Sequence, residues 1–395
     1  MDQPPATQKR IKRHVISRSH TFFATTSPGL ETLCAREIAD LHIDMENIDI
    51  ISGGVLFTCR LAGCYAANLH LRIPNRILMR LTDFKATNFR QLDKNIMQFP
   101  WELYLSPSSE LDIRVKTRHS RLFHTTAIAQ HMETCIRQRV PRMPTGETGL
   151  FEKKDPQHLY VRAVDDHLFL SLDSSGDLLF KRGLKQDVGK APLRETLAAA
   201  ILKRAGYDGT QTLLDPMCGS GTFSLEATML DRNIPPGFYR DFAFMQWPAF
   251  REPQWRHLKH RAENAIRPLN KPLIFASDLD SKRTTELIKI SHRLEWFKGI
   301  QVETRDFFDL TPRDVTQKPG ILVLNPPFGL RLDTVEKSNA FYGDIIRKLK
   351  TDYRYWQTAI LVMDKTIAKQ FPDHFRRYAL FHGGIDLTLL IGVFK

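Results

Sequence analysis

Cysteine is scarce in this chain: five residues in 395 (Cys34, Cys59, Cys64, Cys135 and Cys218), odd in number and scattered, with no Cys-x-x-Cys pair. That pattern suggests neither a disulfide framework nor a zinc site, and a cytoplasmic, reducing compartment and no metal are expected. Long apolar runs are missing too. No stretch approaches the roughly 18 residues a membrane-spanning helix requires, so no bilayer crossing is expected. Residues 8–14 are basic, but no apolar segment of about 7 to 15 residues follows them, which argues against a secretory signal. Residues 1–19 read instead as a basic disordered tail. Two phosphate-binding signatures also fail. After the apolar run ending at Asp215, position 224 is Ser where Gly-x-Gly-x-x-Gly needs its third glycine, and there is no Gly-Lys-Ser/Thr, so neither a dinucleotide nor a triphosphate is indicated.

What is present fits a soluble protein of two or three domains, with 42% hydrophobic and 26% charged residues. The formal net charge of +13 favours a polyanionic partner, because counterion release drives such binding, although a basic surface also serves solubility. The charge is local. Residues 114–142 hold seven Lys or Arg against the single acid Glu133. Within them, Ile113-Arg-Val-Lys-Thr-Arg118 alternates with period two, which puts Arg114, Lys116 and Arg118 on one strand face and turns Ile113 and Val115 to a core. With Arg121 they form a candidate phosphate-binding stripe; a charged, protected strand edge is the alternative.

Elements alternate along the chain. A strand from Phe22, a Pro-Gly turn, an apolar helical pattern through Leu41, a strand at 53–58 and a helix at 61–71 make a small α+β unit over 20–70. A second α+β unit occupies 71–175, and the polar, glycine-bearing 176–190 is the linker candidate. Thereafter short apolar strands (212–215, 273–278, 321–325) alternate with helices, the pattern of a parallel sheet in a doubly wound α/β fold over 191–395.

Three strand ends carry the chemistry. Leu213-Leu-Asp-Pro-Met-Cys-Gly-Ser-Gly-Thr222 is a strand ending in an acid, then a turn whose glycines admit close backbone approach, then a helix N-terminus with free N–H groups. A carboxylate at 215 would repel phosphate and suit a cationic ligand. Asp278 ends the next strand, where open α/β sheets bind ligands; it is placed for ribose hydroxyls and Leu279 for an adenine face, while Asp280 caps the next helix. Asp306 follows a third short strand and is a candidate acceptor for an adenine amine, or an ordinary strand-end acid.

Most telling is Ile321-Leu-Val-Leu-Asn-Pro-Pro-Phe-Gly329. The two prolines fix the backbone after Asn325 and hold its side chain and the Pro326 carbonyl outward as a pair of oxygen acceptors. An exocyclic base amine is a poor nucleophile because its lone pair is delocalised into the ring. Two acceptors on its hydrogens favour the rehybridised nitrogen that can attack a methyl sulfonium, and Phe328 is placed to stack on the base. The chemistry implied is methyl transfer from S-adenosylmethionine to a base amine. No general base is evident; the methylated ammonium is acidic enough to lose its proton to solvent.

These residues resemble the class I amino-methyltransferases, whose Asn/Asp/Ser-Pro-Pro-aromatic motif is matched by 325–328. More closely, 179–185, 191–202, 215–222 and 325–331 resemble the THUMP-containing guanine-N2 methyltransferases of bacterial 23S ribosomal RNA, and the likeness covers nearly the whole chain from about position 20. The resemblance implies a ferredoxin-like unit near 20–70, a THUMP RNA-binding domain near 71–175 and a Rossmann-like methyltransferase domain over 191–395 with a mixed, mostly parallel seven-stranded sheet. It also implies that Pro192 borders the methionine part of the cofactor, beside a site built from Asp215, Pro216, Gly219, Gly221, Thr222, Asp278, Leu279, Asp306 and Asn325, and that the target base is taken out of its stack. Some members carry a second methyltransferase domain; this chain ends at Lys395 after a short apolar strand, so one modification is expected. Transfer RNA, DNA adenine N6 and a non-catalytic RNA-binding role stay open as alternatives.

Overall fold

The computed structural model describes residues 4–140, 156–185, 193–269, 271, 273–327, 335–363 and 365–395. The chain forms two compact units: Met1–Thr26, Cys34–Leu179 and Arg240–His260 make the first, and Ser27–Leu33, Phe180–Tyr239 and Arg261–Lys395 the second.

The first unit holds one sheet of seven strands: β1 (His20–Thr25), β2 (Met45–Ile51), β3 (Gly54–Cys59), β4 (Arg76–Lys85), β5 (Leu111–Arg118), β6 (Gln157–Val164) and β7 (His167–Asp173). Their order is β2-β3-β1-β4-β7-β6-β5, with β5 parallel to β6 and the other pairs antiparallel. The two α+β units expected from the sequence therefore share a single sheet, joined where β4 pairs β1 on one side and β7 on the other. One face is apolar, with Phe22, Ala24, Ile77, Met79, Val161, Leu168 and Leu170 buried. The period-two pattern of β1, β4, β6 and β7 turns those positions to one side.

Three expectations need correction. Residues 1–19 are not a disordered tail: the described part is helical over Pro5–Ile11 and continues through Lys12–Ile16, burying Ile11 and Val15, with Arg10 donating to Glu102 at 2.8 Å. Two apolar side chains four apart suffice to anchor a short helix on a prebuilt surface. The 176–190 segment does contain the boundary between the units, between Leu179 and Phe180, but its described part is packed rather than exposed, since Arg182 and Leu184 are buried; 186–190 lie outside the described residues. Finally, Arg240–His260 fall within the span expected for the catalytic domain yet belong to the first unit. There Arg240 donates to the carbonyls of Ser175, Asp177 and Leu178, Phe244 stacks on Tyr65 with centroids 4.5 Å apart, and Trp247 donates to Gln157 at 2.9 Å.

The second unit is the α/β fold that the alternation predicts. Its strands are β8 (Leu213–Asp215), β9 (Ile274–Asp278), β10 (Ile300–Thr304), β11 (Ile321–Leu324), β12 (Gln357–Val362), β13 (Arg376–His382) and β14 (Ile385–Val393), in the order β10-β9-β8-β11-β12-β14-β13. The first five run parallel and β14 runs antiparallel to both β12 and β13. All four residues of β11 are buried, as a strand covered on both faces requires. The strand order reverses at β8, so the carboxyl ends of β8, β9, β10 and β11 converge where such sheets take ligands. No helix among the described residues is long and apolar enough to cross a membrane.

Candidate active site

The loop after β8 is shaped by its glycines. Gly219 (φ 53°) and Gly221 (φ 75°) are left-handed, and a Cβ at Gly221 would lie 2.4 Å from Leu287 Cδ1, so only glycine fits there. The loop is tied to the end of β9: Cys218 N donates to Ser277 O at 3.0 Å and Gly219 N to Asp278 Oδ2 at 2.8 Å. Asp278 Oδ1 accepts from Asp280 N at 2.9 Å. Each oxygen of Asp278 thus holds one backbone N–H, and each retains a lone pair for a ligand hydroxyl. Asp280 accepts from Lys282 N at 3.0 Å, the capping role expected of it.

A cavity of about 300 Å³ opens over these strand ends. Of the residues singled out in the sequence, Pro216, Gly219, Thr222, Asp278, Leu279, Asp306 and Asn325 line it. Asp306 is also structural, accepting from Phe308 N at 2.9 Å to cap the turn Phe307–Asp309. Pro326 is buried beside Asn325 and, like Gly221, is not among the lining residues. Pro192 and Phe328 lie outside the described residues. The Oδ1 atom of Asn325 is buried and has no hydrogen-bond partner among the described residues. Leaving such an acceptor dry costs about 1 to 3 kcal/mol, an expense that a substrate N–H would remove.

Asp215 departs from its expected role. It does not line the cavity: it is fully buried beneath the loop, where its Oδ2 accepts from Ser224 Oγ at 2.7 Å. Burial pushes its carboxyl up to about 7, against an ordinary 3.8, so the group is held near neutrality rather than presented to a cationic ligand. The native state then binds a proton that the unfolded state releases between pH 3.8 and about 7, and stability falls as pH rises through that window. Asp215→Asn keeps an acceptor for Ser224 and removes the titration. In thermal melts, the wild type is expected to lose ground to this variant from pH 4 to pH 7; parallel curves would mean that Asp215 is ionised throughout.

Several contributors were not singled out as site residues in the sequence. Arg283 reaches the cavity from the first turn of the helix Ser281–Arg293, and Phe341 and Phe308 form a wall with their rings 5.9 Å apart and T-shaped. Lys185, which the sequence reading assigned to the linker, donates to Ser220 Oγ at 3.1 Å and Thr222 Oγ1 at 2.8 Å and pairs with Glu195. Three residues earlier, Arg182 pairs with Glu226 at 2.8 Å, both side chains essentially without solvent contact. The string Lys-Arg-Gly-Leu-Lys, read as polar, is therefore pinned to the cofactor-loop side of the fold.

Of the proposed phosphate-binding stripe, Arg114, Lys116 and Arg118 are the exposed positions of β5, and Ile113 and Val115 between them are partly buried. Arg121 is on the loop beyond, its backbone N–H bonded to Asp166 at 2.7 Å.

Comparison with known proteins agrees with this geometry. Residues 182–391 match the RMKL-like methyltransferase domain, 21–78 the RlmL ferredoxin-like domain and 86–173 the THUMP domain. The chain is 32% identical to a candidate RNA methyltransferase of Synechocystis sp., covering 93% of this chain and 95% of that one. It is also 32% identical to the ribosomal RNA large subunit methyltransferase K/L of Methylococcus capsulatus, covering 94% of this chain but only 50% of that protein's length. Among solved structures, SMU.472, described as a candidate methyltransferase and solved with SAH, superposes with a TM-score of 0.83 at 26% identity over 96% of this chain and 99% of that one. A Listeria monocytogenes protein described as a candidate N6-adenine-specific DNA methylase gives 0.80 at 26% identity over 98% of each chain. The lining fits the methyl donor S-adenosylmethionine: the lone pairs of Asp278 suit its ribose hydroxyls, Leu279 offers an exposed apolar surface, and the open left-handed loop at Gly219 leaves room for backbone approach. With its ferredoxin-like and THUMP spans preceding a catalytic α/β unit, the chain belongs to the RMKL-like family of S-adenosylmethionine-dependent methyltransferases.

Proposed function

We propose that the protein methylates an exocyclic amine of an RNA base, with guanine N2 of 23S ribosomal RNA as the target. The observation that carries the amine is Asn325, whose buried Oδ1 has no partner among the described residues and which lines the cavity at the end of β11. The RNA part rests on the THUMP span, on the names of the Synechocystis and Methylococcus relatives and on the basic stripe of β5. Guanine N2 rests on the resemblance of the motifs alone.

S-adenosylmethionine supplies an electrophilic methyl group on a sulfonium whose sulfur leaves as a neutral thioether. This chain's residues supply the rest. Asp278 and Asp306 accept from the donor's ribose and adenine, Leu279 covers the purine, and Pro216, Gly219 and Thr222 shape the turn that holds the methionine end, with Pro192 bordering it. Asn325 Oδ1 and the Pro326 carbonyl each accept a hydrogen bond from the base amine and hold its nitrogen in line with the methyl carbon, and Phe328 stacks on the base. Charge-dipole attraction from those acceptors stabilises the nitrogen as it becomes positive, and its surplus proton leaves to water. Arg114, Lys116, Arg118 and Arg121 neutralise RNA phosphates.

Incubation with methyl-labelled donor and unmodified 23S RNA, transfer RNA or duplex DNA tests the reading. Incorporation into 23S RNA, recovered as N2-methylguanosine after digestion, is expected. Label confined to transfer RNA would move the substrate, N6-methyladenine in DNA would overturn the RNA assignment, and no label in any acceptor would end the amine-transfer reading.

A further inference from the structure

The face of the first unit's sheet opposite its apolar core carries a groove of about 800 Å³. Its walls come from five strands, two of which belong to the ferredoxin-like span or its border, so it extends well beyond the β5 stripe. Arg80 of β4 lines it, with its guanidinium 5.0 Å from the ring of Phe23 (β1) and 6.0 Å from that of Phe169 (β7). Next to it, Arg162 of β6 is opposite Phe169 in register, and Lys116 of β5 is opposite Arg162. Arg114 caps the ring of Tyr160 at 5.9 Å.

Two properties of this face define what it can hold. First, part of its charge is uncompensated: Arg76 pairs with Asp173 and Arg114 with Asp112, but Lys116, Arg118 and Arg162 form no ion pair among the described residues, and Arg162 adds to the burial that pulls the Arg80 guanidinium below its usual range, with Asp83 opposing them. Like charges brought together on a sheet face are destabilising unless a partner neutralises them. Second, the cations alternate with rings. Phe169 is 36% exposed between the fully buried Leu168 and Leu170, so the strand spends an aromatic at a position that would ordinarily be polar. A regular duplex offers phosphates to such a face but keeps its base faces stacked inside, where Phe169 and Tyr160 gain nothing from them. An unpaired strand offers both, with bases for the rings and phosphates for the cations between them.

We propose that this groove is a platform for unpaired nucleotides of the substrate RNA, bases stacked on Phe169 and Tyr160 and the backbone running along Arg162, Lys116 and Arg118. The proposal rests on the RNA reading above and adds to it the strandedness of what is bound and the contribution of β1, β4 and β7.

Fluorescence anisotropy of the full chain, with a labelled oligoadenylate alone and annealed to oligouridylate, tests it without any methyl transfer. The single strand is expected to bind at least about tenfold more tightly than the duplex. Phe169→Ala should weaken single-strand binding by about 5- to 100-fold with the salt slope unchanged, and Phe169→Trp should restore it. Arg118→Ala should instead flatten the salt slope. Phe169 is exposed, so the alanine variant is expected to fold; a melt within a few degrees of wild type checks this, and Phe169→Trp carries the test if it does not. Equal affinity for single strand and duplex, or an unaltered Kd in Phe169→Ala, would overturn the platform while leaving RNA methylation standing. Failure to bind either RNA would overturn the platform, while methyl incorporation into 23S RNA decides the methylation reading separately.

Discussion

Asn325→Ala is expected to cut the methyl-transfer rate about a thousandfold, on the order of 4 kcal/mol of transition-state stabilisation, while donor affinity changes by less than about threefold. The contrast follows from where the atom is. Asn325 Oδ1 is buried without a partner among the described residues, so no ground-state interaction with them is lost when it goes. In the proposed reading the donor is held instead by Gly219, Asp278 and Asp306, which line the cavity beyond the ends of β8, β9 and β10. A hydrogen bond that strengthens as the amine pyramidalises and becomes positive acts most in the transition state, and its removal lowers kcat and kcat/KM together. Single-turnover kinetics alongside calorimetric titration of the donor product separate the two quantities. Near wild-type turnover would remove Asn325 from the chemistry. A parallel collapse of donor binding would mean that the side chain builds the donor pocket instead.

Arg182→Ala is expected to destabilise the second unit by about 3 to 5 kcal/mol, because it leaves Glu226 charged in a site without solvent. Arg182→Met combined with Glu226→Leu should recover most of that loss, since apolar side chains of similar volume avoid the desolvation that the pair must overcome. Chemical denaturation monitored by tryptophan fluorescence reads both. A loss of less than about 1 kcal/mol in the single variant would show that water reaches the carboxylate. Because Lys185 is three residues on and bonded to Ser220 and Thr222, the single variant should also loosen the glycine loop, visible as faster amide exchange there.

The catalytic unit was legible because each of its site-forming strands is a short apolar run ending in a residue that core strands rarely carry: Asp215, Asp278, Asn325. Residue type and position along the strand say that a side chain reaches the ligand edge of the sheet. They do not say which way it turns. Asp215 and Asp278 have the same sequence context, yet one points beneath the loop to Ser224 and the other meets Gly219 N at the cavity. Arg283 and Phe341 were invisible for a different reason: they reach the cavity from helices whose patterns report only on core packing. The segment Arg240–His260 escaped notice because membership of a unit is decided by long-range contacts such as Phe244 on Tyr65, which leave no local period. In the first unit, the alternation of β5 was readable, but the groove it borders needs the registers of five strands, and no window of sequence contains them.

The family spans 21–78 and 86–173 invite the view that two modules were strung together, but β4 runs from Arg76 to Lys85 across the gap between them. Each span alone would end in a torn sheet. A fragment beginning at 86 would leave the edge of β7 bare, and one ending at 78 would keep only the three β4 residues that pair with Phe23, Ala24 and Thr25. Asn68 adds a second stitch, donating to Ser174 at 2.8 Å and accepting from Ser175 at 2.7 Å. The two spans are therefore one folding block: a chain cut within residues 76–85 is expected to leave neither half with an intact sheet.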